Sequence, residues 1–246
     1  MEELINNIDS IQIELETAIN KMQQNLKELK TKAATIQAQQ KQGQDQADTR
    51  FTLCTLKELS QTEDNGNEPP TINIIKEEED EISEDLLIVT AGTDGSLMSK
   101  RGRRVSAAAV YFGDGSPLNS AKAVLGASSS TIPEVDAFIE LLYTAKREKV
   151  TKVAAVIDNV TAISFIECSA KKDIICSRMM QHFLLNNPAL ESRAEAIRDL
   201  MPFFSLVIAR WQKAHTNQRT IFADLNRAAD SSAKQRASEI LNLMLK

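Results

Sequence analysis

Four carboxylates and one imidazole stand where they could act together. Asp94 follows the apolar run Leu86–Val89 and is itself followed by Gly95, in the stretch LLIVTAGTDGS at 86–96. Asp158 directly follows a second apolar run, Lys152–Ile157 (KVAAVI). Glu134 comes just after Pro133, where a helix is expected to begin, and Asp224 precedes the long apolar-periodic stretch at the C-terminus. His215 follows Trp211 by four positions. A carboxylate left beside a core is costly unless something cationic meets it. Asp94-Gly95 taken alone is also a common hairpin turn, so the case rests on the acids as a set.

The elements that would carry these acids follow from hydrophobic patterning. Near-continuous apolar runs such as Leu86–Val89 and Lys152–Ile157 read as strands buried on both faces. Thr93–Ser96 is expected to end the first strand in a turn. Strands are expected at Val105–Phe112, Ala121–Gly126 and Phe203–Trp211. Helices are expected from Thr131 as N-cap, over Asn159–Cys168, Asp173–Leu185 and Ala189–Met201, and from about Thr220 to Leu245. The order from residue 86 is β-β-β-α-β-α-α-α-β-α. Sequential, closely spaced strands favour an antiparallel meander for the first three. Helical crossovers make the strands of Asp94, Asp158 and Phe203 parallel, so Asp94 and Asp158 share one sheet edge. Glu134 and Asp224, each in the first turn of a helix, can reach that edge.

Charge divides the chain. Residues 1–85 hold 8 Lys/Arg against 19 Asp/Glu, a balance of −11, whereas residues 86–246 hold 21 against 15, a balance of +6. The C-terminal part is therefore mildly basic and compatible with a polyanionic ligand. Residues 5–36 carry a seven-residue repeat: Ile5, Gln12, Ile19, Leu26 and Ala33, with Ile8, Leu15, Met22, Leu29 and Ile36 three residues after each. That spacing predicts a coiled-coil helix over 1–40, able to join copies of the chain into a homo-oligomer or to fold back on the rest. Residues 41–85 are polar, then strongly acidic. They read as a linker with a possible short helix at 52–59. Cys54, Cys168 and Cys176 have neither disulfide nor metal-ligand spacing, which suggests free thiols in a reducing compartment. No apolar run approaches a membrane span, and the acidic, polar opening MEELINNIDS is unlike a secretory signal. An intracellular location is expected, and the sequon at Asn159 is discounted for the same reason.

From 86 to 245 the residues resemble ribonuclease H, type 1. Thr93-Asp94-Gly95-Ser96 resembles the strand motif carrying that family's first acid, and Glu134-Val135-Asp136-Ala137 the opening of its first helix. Asp158-Asn159 resembles the third acid and the helix after it. Trp211 to His215 is similar to a W-x-x-x-H strand exit, and Ala223-Asp224-Leu225 to the A-D-x-L of the last helix. The intervals between the acids are 40, 24 and 66 residues.

The resemblance implies an α/β fold: a ribonuclease H-like mixed five-stranded sheet, order 3-2-1-4-5, flanked by helices over 86–246. It implies two Mg²⁺ (or Mn²⁺) ions held by Asp94, Glu134, Asp158 and Asp224, with Asp94 bridging, and phosphodiester hydrolysis leaving a 5′ phosphate and a 3′ hydroxyl. His215 would shuttle a proton or assist product release. The implied partner is an RNA–DNA hybrid whose RNA strand is cut. Ser96, Ser130, Thr131 and the basic cluster Lys100, Arg101, Arg103 and Arg104 are candidate nucleic-acid contacts. Two departures bear on the site. The stretch before Glu134 is Ser-Ser-Ser-Thr-Ile-Pro, and the loop after His215 is short, which makes Asp230 an alternative fourth acid. A non-catalytic scaffold on the same fold is the alternative function.

Overall fold

In a computed structural model of the chain, the described residues are 50–60, 72–77, 83–171, 174–214 and 219–245. All belong to one unit, Thr49–Lys246. The coiled-coil expectation for 1–40 and His215 lie outside the described residues.

Among the described residues seven strands form one sheet: β1 (Thr52–Thr55), β2 (Ile72–Glu77), β3 (Leu87–Lys100), β4 (Arg103–Tyr111), β5 (Ser120–Val124), β6 (Lys152–Ile157) and β7 (Leu206–Trp211). Helices α1 (Leu56–Ser60), α2 (Thr131–Arg147), α3 (Val160–Ala170), α4 (Ile174–Asn186), α5 (Glu191–Leu200) and α6 (Ile221–Met244) complete the order, with short 3₁₀ turns at Pro188–Leu190 and Met201–Phe203. The spatial order β5-β4-β3-β6-β7 has an antiparallel meander on one side and parallel β3, β6 and β7 on the other. This is the ribonuclease H-like arrangement expected from the sequence. Among the described residues no helix is long and apolar enough to cross a membrane.

Two additions come from the stretch read as a linker. β2 pairs antiparallel with β7 at the sheet's edge, Ile72 opposite Arg210. Instead of a helix over 52–59, Thr52–Thr55 pairs with Leu87–Thr90 and the helix begins at Leu56. β1 continues the line of β4 beside the first half of β3, where Thr52 Oγ1 donates to Phe112 O at 2.5 Å. Both segments are short and flanked by polar residues, so patterning alone hides them. Tertiary pairing with β3 and β7 makes them strands.

The sheet is covered on both faces. Val89, Ala91, Val153, Ala155, Ile157, Val207 and Ala209 pack with α2, α3 and α5. On the other face, Ile88, Ala154, Val156 and Ile208 meet Leu59 of α1 and Phe222 and Leu225 of α6. Farther along α6, Ala237 and Leu241 cover Val105 and Ala107 of β4. Inside the second face the side chain of Arg210 is buried, donating to Leu59 O with its guanidinium 4.0 Å from the Phe222 ring centre. The burial ties α1, β7 and the start of α6 together.

Candidate metal centre

The local structure around Asp94 departs from expectation in an informative way. Thr93–Ser96 does not turn. β3 runs through it to Lys100, with Asp94 opposite Ala109 of β4. Parallel pairing with β6 ends at Gly92–Val156, so Asp94 lies just beyond the point where β6 stops. Gly95 serves close approach rather than a turn: a Cβ there would lie 2.3 Å from Glu134 N and 2.4 Å from Pro133 C. Gly92 does the same for α6, since a Cβ would lie 2.2 Å from Leu225 O. Two glycines on one strand thus let helices on opposite faces sit against its backbone.

Three carboxylates converge there. Asp94, Glu134 and Asp158 each offer an oxygen, all within 4.8 Å of one another. Asp94 and Glu134 are buried, at 4% and 5% exposure, and Asp158 is half-buried. Asp158 is held from two sides. Trp211 Nε1 donates to its carbonyl oxygen at 3.3 Å, and Asn226 Nδ2 to its Oδ2 at 3.2 Å. Asn159, the next residue, caps α3 by accepting from Ala162 N at 3.0 Å, which fixes the chain leaving β6.

Burial, followed by the charges of Asp158 and Asp230, pushes the Asp94 carboxyl up to about 8, against the opposing effects of Lys234 and the Gly95 amide. Burial, then Asp94 and Asp158, raises Glu134 well above the usual carboxylate range. Asp94 Oδ2, Glu134 Oε2 and Asn226 Oδ1 are buried without a hydrogen-bond partner among the described residues. Orphaned oxygen acceptors and acids that resist ionisation are what a missing hard cation would leave behind. The all-oxygen donor set fits Mg²⁺ or Mn²⁺.

The fourth expected ligand is corrected. Asp224 does not join the group. Its side chain is 66% exposed and pairs with Arg227. The reason is helix phase: at about 100° per residue, Asp224 lies roughly 200° around α6 from Asn226, which faces Asp158. Asp230 is one turn beyond Asn226, and its charge reaches Asp94 while it pairs with Lys234 at 2.8 Å. Ser96, a candidate nucleic-acid contact, is buried, with only 7% of its surface exposed. Ser130, and not Thr131, is the N-cap of α2. It is exposed and makes no side-chain cap bond, while Thr131 is half-buried. Lys100, Arg101, Arg103 and Arg104 are exposed at the β3–β4 turn. Asp136, two residues after Glu134, forms a two-point ion pair with Arg193 of α5 at 2.8 and 2.6 Å. Asn226 and Gly92 escape the sequence reading, which gives Gly95 a turn instead of a packing role. Two glycines three residues apart in one apolar run are the available signal for close helix approach on both faces.

No protein-family model matches the chain, and no curated protein matches it in sequence. Solved structures similar to it include the ribonuclease H domain of PFV in solution (TM-score 0.42, 14% identity, covering 61% of this chain and 93% of that one). Another is the N-terminal ribonuclease H domain of a Mycobacterium tuberculosis protein fused to maltose binding protein (0.43, 16%, 63% and 98%). A third is ribonuclease H1 of the halophilic archaeon Halobacterium salinarum NRC-1 (0.38, 18%, 61% and 97%).

Proposed function

We propose that the chain is a metal-dependent endonuclease that hydrolyses the RNA strand of RNA–DNA hybrids. The observation that carries this reading is the convergence of Asp94, Glu134 and Asp158 within 4.8 Å, two of them buried and short of partners. Asp94, Glu134 and Asp158 would hold the divalent ions, with Asp230 adding negative charge from α6. When bound, such ions activate water at neutral pH and stabilise the leaving 3′ oxygen. The chain's own residues set the stage for that. Gly95 brings the α2 N-terminus onto β3, so Glu134 faces Asp94. Asn226 and Trp211 fix the orientation of Asp158, a role that outer partners of metal ligands commonly play. His215 stays a proposed proton carrier on the strength of the sequence resemblance. The heptads of residues 5–36 would add multivalency on long substrates.

A second reading, a weakened scaffold on the same fold, is favoured by one observation: the α6 side chain that touches Asp158 is an amide, Asn226, not a carboxylate. A labelled hybrid incubated with Mg²⁺ or Mn²⁺ separates the two. Cleavage by the wild type that disappears in Asp94→Asn supports the nuclease; binding without cleavage supports the scaffold.

A further inference from the structure

The β3–β4 hairpin reaches well past the sheet. β6 leaves β3 at Gly92, and β5 pairs with β4 only over Ser106–Val110, so Met98–Val105 pair only with each other. The ribbon's base is braced by α6, where Met98 and Val105 pack near Ala237 and Leu241. Its tip is Lys-Arg-Gly-Arg-Arg. Lys100 and Arg103 face each other, and Arg101 and Gly102 form the two-residue turn, both at positive φ, 52° and 75°. Both signs match a type I′ turn, whose first central position favours Asn, Asp or Gly. An arginine in the left-handed region costs about 1 kcal/mol, so its presence there is not explained by folding.

These cations are clustered at one turn with no acid beside them. Lys122, Lys171, Arg193, Arg227, Lys234 and Arg236 each pair with a carboxylate. Among the described residues Lys100, Arg101, Arg103 and Arg104 form no ion pair; Arg104 Nη1 donates to Ser128 O at 3.3 Å. That bond ties the ribbon to the loop that leads into α2 and Glu134. Along β3, Asp94 and Arg101 are separated by about 23 Å at a rise of roughly 3.3 Å per residue. That equals about seven phosphate steps of a duplex strand.

We infer that the Lys100–Arg103 ribbon is a phosphate-backbone contact seated about seven base-pair steps from the carboxylates, on one side of the cut only. The identity of the duplex as a hybrid rests on the nuclease reading above; the phosphate chemistry of the ribbon does not. Four cationic groups without an acid partner, three of them at the tip of a stiff ribbon, give affinity without reading sequence. The ribbon therefore sets a minimum duplex length and an asymmetric footprint.

Two experiments on the full chain test this. In the first, hybrid binding is measured by anisotropy across salt concentrations in an Asp94→Asn background, with and without Lys100→Gln/Arg101→Gln/Arg103→Gln. The triple change is expected to weaken binding roughly tenfold or more at 0.1 M salt and to flatten the log–log salt slope by about two to three. Lys57→Gln on α1 is the control and should change neither. An unaltered slope overturns the inference. In the second, the unsubstituted protein cuts hybrids trimmed below about seven pairs on one side of the cut or the other. KM should rise for trimming on one side and not the other; equal effects from both sides overturn the inference, even if the triple variant fails to fold. If the protein never cuts yet the salt slope falls as stated, the nuclease reading fails and the ribbon contact stands. If it cuts with KM untouched by ribbon and trimming alike, the reverse holds.

Discussion

The backbone of Glu134 rests directly on Gly95, whose missing Cβ would otherwise lie 2.3 Å from Glu134 N. Backbone, not a pliant side chain, occupies the space. Gly95→Ala should therefore push α2 away from β3 and separate Glu134 from Asp94. Overpacking of this kind destabilises by about 1–3 kcal/mol. The expected outcome is a lower midpoint in urea together with weaker Mn²⁺ binding by calorimetry. A variant that keeps wild-type Mn²⁺ affinity would show that the contact does not position the acid.

The raised Asp94 carboxyl makes stability depend on pH in a direction opposite to a salt-bridged acid. Without a cation, folded Asp94 keeps its proton up to about pH 8, whereas the unfolded chain releases it near pH 4. The native state thus binds more protons across that interval, and stability falls as pH rises through it. Glu134 adds to the trend with the same sign. Urea unfolding in EDTA at pH 5 to 8 should show a progressive loss on the order of a few kcal/mol, reduced in Asp94→Asn.

Divalent cations should reverse this loss. An ion that binds only the folded state stabilises it by about 2.7 kcal/mol at a hundredfold excess over its Kd. The rise in Tm on adding Mg²⁺ is expected to be larger at pH 8 than at pH 5, because ionised carboxylates are the ligands. Asp94→Asn should show little of it.

Asp224 and Asp230 give opposite expectations. Asp224 is exposed and paired only with Arg227 three residues on, so Asp224→Asn should change stability by less than about 0.5 kcal/mol and leave cleavage intact. Asp230→Asn should lower Mn²⁺ affinity roughly tenfold or more, as loss of an outer charge at a metal site does. Paired titrations of the two variants decide which acid of α6 serves the centre.

The sequence announced most of the framework, and the misreadings have physical causes. Lys152–Ile157 forms a strand with the bounds expected because five apolar residues in a row, all buried, leave little choice. Asp94 was placed at a strand's end because Asp-Gly commonly turns. Only the helices on either side of β3 reveal that both of its glycines serve packing. Asp224 was chosen by local motif, although the stripe Leu225, Ala229, Ala233, Ala237 and Leu241 fixes the phase of α6 and turns Asp224 away. Asn226 and Asp230 flank that stripe on the side facing the acids. Thr52–Thr55 and Ile72–Glu77 were hidden because their partners lie far along the chain, beyond the reach of any local pattern.

Those two strands also move the working domain boundary. A chain begun at residue 86 would bare one edge of Leu87–Thr90 and the outer side of β7 and remove the Leu59 carbonyl that accepts from buried Arg210. Exposed strand edges invite aggregation, and losing a hydrogen bond to a buried charged group destabilises by about 1.5–3 kcal/mol. Such a fragment should sediment as aggregate or melt well below one begun at residue 49.

The pairing of Ile72 with Arg210 has a consequence for how the protein is made. The ribosome releases the outermost strand long before its neighbour, with β3, β4, β5 and β6 made in between. Throughout most of synthesis that early segment has nowhere to dock, and the domain closes in one late step. Biogenesis, more than the finished architecture, is where this chain is exposed to failure.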